Sequence, residues 1–203
     1  MLMVSAVVLA AGESKRMGEK KELLPIGGVH MIRVVVEKLL ESRAVGEVII
    51  VLGHRADDVG RSLAGETDER LELVGNRRFR EGMGTSVAQG VRACSWGTDA
   101  ILIVLGDAPF FTTATVNALI DAHAAGAAIV VPVSGGRRGH PVLLDGSYRG
   151  ELEELAGDAG ARDILEREAP SVVEMAMDDD AFLVDVDERE DYEAVKDGLS
   201  TRD

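Results

Sequence analysis

The chain has 203 residues, of which 46% are hydrophobic and 29% charged, a balance typical of soluble globular proteins. Its net charge of −14 argues against nucleic acid or an anionic membrane surface as the main partner. The lone cysteine, Cys94, excludes a disulfide framework, and we expect it to be a buried, inert thiol. With no signal peptide and no apolar stretch of membrane-spanning length, we expect a cytoplasmic protein folded as one domain over residues 1–203.

The first predicted element is a buried strand. Residues 4–9 are uncharged and rich in β-branched side chains, which favours a strand covered on both faces of a parallel sheet. The strand ends at Ala10, Ala11 and Gly12, whose small side chains let another molecule approach the main chain. Gly12 also allows backbone angles that other residues avoid.

A cationic loop follows this strand. It contains Ser14, a second glycine at Gly18, and the cations Lys15, Arg16, Lys20 and Lys21. Such a loop at the carboxyl end of a buried strand suits a polyphosphate. A solvated loop whose cations balance an acidic protein explains the same residues. The loop has neither the Walker A spacing nor the dinucleotide G-x-G-x-x-G pattern.

The next segments alternate between helix and strand. Apolar spacing predicts a helix over 29–42, a buried strand over 48–52, a short helix over 56–63 and a weaker strand over 71–74. This alternation predicts a parallel sheet with right-handed crossovers. Ligands of such sheets gather outside the carboxyl ends of the strands.

The third strand runs into a glycine-bearing segment, 75–86, and a helix with Val87, Ala88 and Val91 on one face. We expect Thr85 or Ser86 to cap this helix and leave N–H groups for an anion. An ordinary capped helix explains the pattern equally well.

The most apolar strand, 100–105, ends at Gly106-Asp107-Ala108-Pro109, and Thr112 or Thr113 is expected to cap the helix that follows. Asp107 is well placed for Mg²⁺, which binds few protein carboxylates and keeps phosphate oxygens and waters. The alternative is a turn aspartate that bonds its own backbone.

The remaining chain offers a second cationic turn and an acidic end. After a strand at 129–133, Arg137, Arg138 and His140 lie in a glycine-rich turn that suits an anionic substrate, although His140 before proline is also typical of a structural histidine. Two short helices are predicted in 150–169, strands at 172–177 and 182–186, and a last helix at 190–199. Asp185 and Asp187, two apart, would share a face.

The run Leu-Ala-Ala-Gly-x-Ser-x-Arg-Met-Gly-x-x-Lys over 9–21, with Leu-Leu-Pro-x-Gly-Gly over 23–28, resembles the signature loop of the nucleotidyltransferases. Within them it is similar to the MobA-like group, which transfers NMP onto molybdopterin and related phosphates. Gly-Asp-x-Pro around Asp107 also fits the family. The segments 138–142 and 157–162 resemble its molybdopterin cytidylyltransferase branch. The resemblance covers essentially the whole chain.

The resemblance implies a three-layer Rossmann-like nucleotidyltransferase fold, α/β, with a mostly parallel twisted sheet flanked by helices. It implies that Arg16 holds the β- and γ-phosphates, that Lys21 offsets charge on the α-phosphate, and that Asp107, with Asp187, holds Mg²⁺. The other binding residues that it implies are Leu9, Ala10, Ala11, Gly12, Ser14, Gly82, Ser86, Arg138 and His140.

Base and acceptor follow from finer details of the resemblance. The family's guanylyltransferases usually carry Leu-Ala-Gly-Gly, and the Ala11 methyl found here should favour the smaller cytosine, hence CTP with molybdopterin. Ala108 stands where that branch commonly has glutamine, which leaves methylerythritol phosphate, sugar phosphates and cobinamide phosphate as alternative acceptors. A different hypothesis is a non-catalytic accessory protein that binds the pterin cofactor or a molybdenum hydroxylase client.

Overall fold

The computed structural model describes residues 2–177, 180–184, 186 and 188–197. Within them the strands are β1 (Val4–Ala10), β2 (Pro25–Ile26), β3 (Val29–His30), β4 (Val45–Leu52), β5 (Leu71–Gly75), β6 (Ala100–Leu105), β7 (Ile129–Ser134), β8 (Arg137–Arg138), β9 (Val142–Asp145) and β10 (Val172–Ala176). The α-helices are α1 (Met31–Glu41), α2 (Ala56–Ser62), α3 (Met83–Ala93), α4 (Thr113–Ala124), α5 (Arg149–Glu153), α6 (Arg162–Arg167) and α7 (Arg189–Val195).

One mixed sheet forms the centre of the structure, with strand order β10-β7-β9-β6-β1-β4-β5 and β8 paired with β7. Strand β1 pairs in parallel with both β4 and β6, and β4 pairs in parallel with β5. Strand β9 runs antiparallel between β6 and β7. The expected mostly parallel sheet is therefore confirmed, with β9 as its antiparallel insertion.

Alternate residues of the central strands pack against helices on opposite faces of the sheet. Ala6 and Val8 belong to the apolar cluster formed with α1, α2 and α4. Val7 belongs to the cluster formed with α3, α5 and α6. All three side chains are fully buried. Helices on both faces of the sheet confirm the expected three-layer α/β architecture.

The structure corrects two of the predicted elements. Helix α1 begins at Met31, because Val29 and His30 pair with Pro25 and Ile26 in a hairpin that turns through Gly27 and Gly28 at φ 57° and 86°. The strand predicted over 182–186 is not found in the described residues of that segment, 182–184 and 186. Ala181–Leu183 is a single 3₁₀ turn, which buries Phe182 against Gly139.

A small third cluster ties α7 to the segment after the cationic loop. Met17, Leu24, Ile26, Val186 and Tyr192 pack together in it. The Tyr192 hydroxyl donates to the Pro25 carbonyl oxygen at 2.9 Å. The carboxyl-terminal helix thus braces the segment that carries the loop.

The environment of the lone cysteine agrees with the prediction from the sequence. Cys94 is 3% exposed, and burial raises the pKa of its thiol to about 12, as expected of an inert structural cysteine.

In the described part of the chain, we find no helix with the length and apolar character needed to cross a bilayer.

Glycine substitutions test the packing of α3 on the sheet. A Cβ at Gly90 would lie 2.3 Å from Val7 Cγ1 and 2.8 Å from Val51 Cγ2. We expect Gly90→Ala to destabilise the protein by about 1–3 kcal/mol through overpacking, despite alanine's higher helix propensity. Gly150, in α5, has open space around its Cβ position. Gly150→Ala should instead stabilise by about 0.4–1 kcal/mol. Urea unfolding measures both, and a stabilised Gly90→Ala would contradict the packing.

Candidate active site

A cleft of about 520 Å³ opens at the carboxyl ends of β1 and β6. Most of the residues predicted from the sequence line it: Leu9, Ala11, Gly12, Ser14, Arg16, Lys21, Gly82, Ser86 and Asp107. Ala10, predicted with them, is fully buried, so its side chain belongs to the core. Asp187, the other predicted metal ligand, lies outside the described residues. The cleft therefore brings together the loop after β1, the turn after β6 and the start of α3.

Lys21 and Asp107 meet in this cleft, with Nζ 3.3 Å from Oδ2. Strands β1 and β6 are neighbours in register, Leu9 opposite Leu105, so the segments that follow them leave the sheet side by side. Gly106 permits the close approach, because a Cβ there would lie 3.0 Å from the Leu9 carbonyl oxygen. The sheet thus delivers a cation and a carboxylate to one place from positions 86 residues apart.

The cationic loop turns through Ser14 and Gly18, at φ 50° and 69°. The Ser14 hydroxyl accepts a hydrogen bond from the Lys21 backbone N–H at 3.2 Å. Gly12 is not among the described glycines at positive φ. A Cβ at Gly12 would meet nothing within 4 Å, so the main chain there is open to a ligand.

Lys20 does not line the cleft, although it belongs to the cationic loop that was predicted to bind a polyphosphate. Its side chain is 0% exposed and points beneath the loop, where Nζ donates to the carbonyl oxygens of Ala10 at 3.0 Å and Gly12 at 2.6 Å. It also contacts Glu22 Oε1 at 2.8 Å. Burial raises the pKa of Glu22, and the charge of Lys20 opposes that rise. Sequence reasoning assigned no role to Glu22, since a single Lys-x-Glu spacing carries no signal for burial.

The prediction that Thr85 or Ser86 caps α3 is wrong. The residue before the helix is Gly82, at φ 118°, and no side chain caps the helix. Thr85 and Ser86 are buried instead, and Asn76 Nδ2 donates to both of their hydroxyl oxygens at 3.0 Å. A Cβ at Gly82 would lie 2.1 Å from the Gly157 carbonyl group, so glycine is required there. The buried Asn76, which sequence reasoning missed, thus orients Ser86 at the cleft.

Charged side chains surround the mouth of the cleft. Glu13 contacts Lys15 at 3.0 Å and Arg80 at 3.4 Å, and the hydrogen bond from Lys15 is the main cause of its lowered pKa. Phe79 and Asp158 also line the cleft. The Arg80 guanidinium lies 5.3 Å from the centre of the Phe79 ring. The mouth thus offers exposed cations beside one aromatic face.

A second cavity of about 530 Å³ adjoins the first, and Leu9, Met83 and Leu105 line both. Arg138 and His140 lie in this second cavity and not in the cleft. Burial lowers the pKa of His140, and the charge of Asp107 opposes that shift. The other polar residues of the second cavity are Arg162 and Glu166. Apolar side chains form most of its wall: Val87, Ile103, Val131, Val142 and Leu165, with the three shared residues.

The donor set fits a hard divalent cation that is shared with a phosphate ligand. Asp107 presents a carboxylate with about a third of its side chain exposed in the cleft. Among the described residues no group of three or more His, Cys, Asp or Glu could hold a metal alone. Mg²⁺ commonly binds through one or two carboxylates and completes its shell with phosphate oxygens and waters.

Comparison with known proteins identifies relatives of this chain. The chain is 36% identical over 183 residues to nicotine blue oxidoreductase of Paenarthrobacter nicotinovorans, covering 85% of each chain. It is 38% identical over 130 residues to the bifunctional protein GlmU of Agrobacterium fabrum, of which the match covers 28%, and 62% of this chain.

Solved structures are similar over nearly the full length. A nucleotidyl transferase from Methanothermobacter superposes with a TM-score of 0.82 at 27% identity, covering 96% of both chains. Rv0371c of Mycobacterium tuberculosis, in complex with manganese, superposes with a TM-score of 0.78 at 26% identity, covering 96% of this chain and 97% of its own. The MobA-like NTP transferase domain matches residues 6–172. Because this match covers most of the chain, the chain belongs to the MobA-like NTP transferase domain family.

Proposed function

We propose that the chain is a cytidylyltransferase that moves CMP from CTP to the phosphate of molybdopterin and releases pyrophosphate. The observation that carries this proposal is the 3.3 Å contact between Lys21 Nζ and Asp107 Oδ2, in a cleft that adjoins a second cavity. A nucleotidyltransferase needs a cation and a metal-binding carboxylate at one phosphate, together with room for two substrates.

The cleft suits a nucleoside triphosphate in charge and shape. Arg16 and Lys21 line it, and Lys15 and Arg80 stand at its mouth. The open main chain at Gly12 allows base and ribose to lie close to the backbone. In this arrangement Arg16 binds the β- and γ-phosphates and Lys21 the α-phosphate.

The reaction is an in-line displacement at the α-phosphorus. A phosphate oxygen of the acceptor forms a bond to that phosphorus as its bond to the β-phosphate oxygen breaks, and pyrophosphate leaves. Because the attacking oxygen is already anionic, no strong general base is required. The protein contributes positioning and charge neutralisation, with Lys21 stabilising negative charge that grows on the α-phosphate oxygens.

Asp107 is the described residue that would hold a divalent cation, and Asp187 is proposed as its second ligand. When bound, Mg²⁺ neutralises phosphate charge and helps to orient the triphosphate. The manganese complex of the similar Rv0371c supports a divalent-metal requirement of this kind.

The choice of cytosine rests on Ala11. This residue lines the cleft and is 3% exposed. Its carbonyl oxygen accepts the His54 N–H at 3.0 Å, which fixes the main chain beside the base-binding region. The Ala11 methyl takes up room that glycine would leave for a larger purine.

The choice of molybdopterin rests on the second cavity. Its mostly apolar wall suits a planar heterocycle better than a sugar or a polyol. Arg138, which contacts Glu174 at 2.9 Å, and Arg162, which contacts Glu166 at 2.8 Å, would supply cationic groups for a phosphate. Glu166 and His140 would supply polar groups for a heteroaromatic edge. A molybdenum hydroxylase client and a cytoplasmic location remain predictions of the sequence.

The decisive experiment incubates the purified protein with Mg²⁺, each of the four common NTPs and molybdopterin, and measures pyrophosphate release. We expect release with CTP and a product with the mass of the molybdopterin cytosine dinucleotide. Methylerythritol phosphate, a sugar phosphate and cobinamide phosphate replace molybdopterin in parallel reactions. If no nucleotide gives pyrophosphate release, the result would favour the non-catalytic accessory role. A parallel redox assay with nicotine blue tests the activity in the name of the 36%-identical relative.

Lys21→Ala tests the catalytic assignment. We expect kcat to fall roughly 10²–10³-fold, as on losing one oxyanion donor, because growing charge on the α-phosphate loses its partner. Arg61→Ala, which removes an exposed cation on α2, is the matched control and should keep the wild-type rate. An unchanged kcat in Lys21→Ala would remove this residue from the mechanism.

Ala11→Gly tests the base preference. Removing the methyl group should make room for guanine and lower the ratio of kcat/KM for CTP over GTP about tenfold, the effect of one small apolar group in a pocket. Steady-state kinetics with both nucleotides give the ratio. The proposal for base choice fails if the ratio does not move.

His140 should be neutral at pH 7, since burial lowers its pKa below 6.5. The unfolded state then binds more protons near pH 6, so His140 contributes stability above pH 6.5 that is lost as pH falls through its folded pKa. An NMR titration of the imidazole, assigned with His140→Gln, measures this. A pKa at or above 6.5 would contradict the expected burial effect.

A further inference from the structure

A buried ion pair lies directly beneath the loop that lines the cleft. Lys20 and Glu22 have side chains 0% and 5% exposed, with Nζ 2.8 Å from Oε1. Glu22 Oε2 is also buried and has no hydrogen-bond partner among the described residues. A buried ion pair often contributes no more stability than apolar residues of similar volume. Its presence here therefore needs a reason other than stability.

The contacts of Lys20 indicate that reason. Its ammonium group donates to the carbonyl oxygens of Ala10 at 3.0 Å and Gly12 at 2.6 Å, as well as to Glu22. These three contacts match the three donors of an ammonium group. One cation therefore holds the main chain on both sides of Ala11, a residue that lines the cleft.

The strand itself does not require this cation. Ladder pairing already fixes β1 as far as Ala10 opposite Leu52, and as far as Leu9 opposite Leu105. Gly12 lies beyond both ladders. The bond from Lys20 to the Gly12 carbonyl oxygen thus holds a stretch of backbone that the sheet does not.

Charge gives a second argument. Glu22 lines the cleft, and a carboxylate there would repel a triphosphate. The Lys20 ammonium, at 2.8 Å, offsets that charge while it remains bound to the loop. The pair thus shapes the loop without adding net negative charge to the site.

We propose that Lys20 is a positioning residue for nucleotide binding, which holds Ala10 to Gly12 in the conformation that receives the nucleotide, and that Glu22 keeps its ammonium group in place. The inference rests on the proposed function, since it takes the ligand of this loop to be a nucleoside triphosphate. Neither residue needs to touch the substrate.

The test replaces the pair by apolar residues, in Lys20→Met/Glu22→Leu. Because no unpaired charge is left behind, we expect the variant to fold with a similar Tm. We expect the Kd for CTP with Mg²⁺, measured by calorimetry, to rise roughly tenfold to a hundredfold as the loop loses its fixed shape. Backbone amides of residues 11–18 should exchange hydrogen faster in the ligand-free variant.

Arg149 and Glu153 offer a matched control. Arg149 also contacts a carboxylate, Glu153, and also donates to main-chain carbonyl oxygens, those of Val91, Cys94 and Ser95, at the far end of α3 from the cleft. Arg149→Met/Glu153→Leu therefore removes similar chemistry away from the nucleotide. It should leave both the CTP affinity and the exchange of residues 11–18 unchanged.

A folded Lys20→Met/Glu22→Leu variant with wild-type Kd and wild-type exchange would overturn the inference. If it does not fold, Lys20→Met/Glu22→Gln, which keeps a polar group at the site, is held to the same two measurements. Wild-type protein that binds no nucleotide contradicts the proposed function instead. Exchange in the ligand-free proteins then decides the inference, since equal exchange with and without the pair overturns it.

Discussion

The candidate site depends on the parallel pairing of β1 with β6. Because Leu9 stands opposite Leu105, the segments that follow the two strands leave the sheet together. The small Gly106 lets them stay close. Lys21 and Asp107, far apart in sequence, then meet at 3.3 Å. A shift of register between these strands would separate the cation from the carboxylate, whatever the composition of the loop.

Carboxylates accompany several cations around this cleft. Lys21 contacts Asp107, Lys20 contacts Glu22, and Lys15 contacts Glu13. The three pairs differ in burial, and that difference separates their roles. The buried Lys20 is committed to the backbone, and the exposed Lys15 is screened by solvent. Lys21 and Asp107 lie between these extremes, so in the proposed reaction a triphosphate and its metal ion would compete for both partners.

The sequence predicted those strands and helices whose apolar pattern can be recognised within a single segment. Apolar periodicity identified the central strands and most helices. The rule that ligands gather at the carboxyl ends of parallel strands placed the cationic loop and Asp107 at the same edge of the sheet. The predictions were wrong where contacts between distant segments determine the position of a side chain. Thr85 or Ser86 was predicted to cap α3, because the neighbouring sequence does not indicate that Asn76 donates to both hydroxyl groups. The direction of the Lys20 side chain likewise follows from the carbonyl groups that the folded loop presents to it.

The sequence also did not predict that the site consists of two cavities, because this depends on where the antiparallel β9 inserts into the sheet. That strand carries Val142 into the wall of the second cavity, just after His140. The cavities meet at the apolar Leu9, Met83 and Leu105. In the proposed reaction the bond between nucleotide and acceptor forms at this junction. Its side chains offer water little to bind, since leucine has no hydrogen-bonding group and the methionine thioether is a weak acceptor.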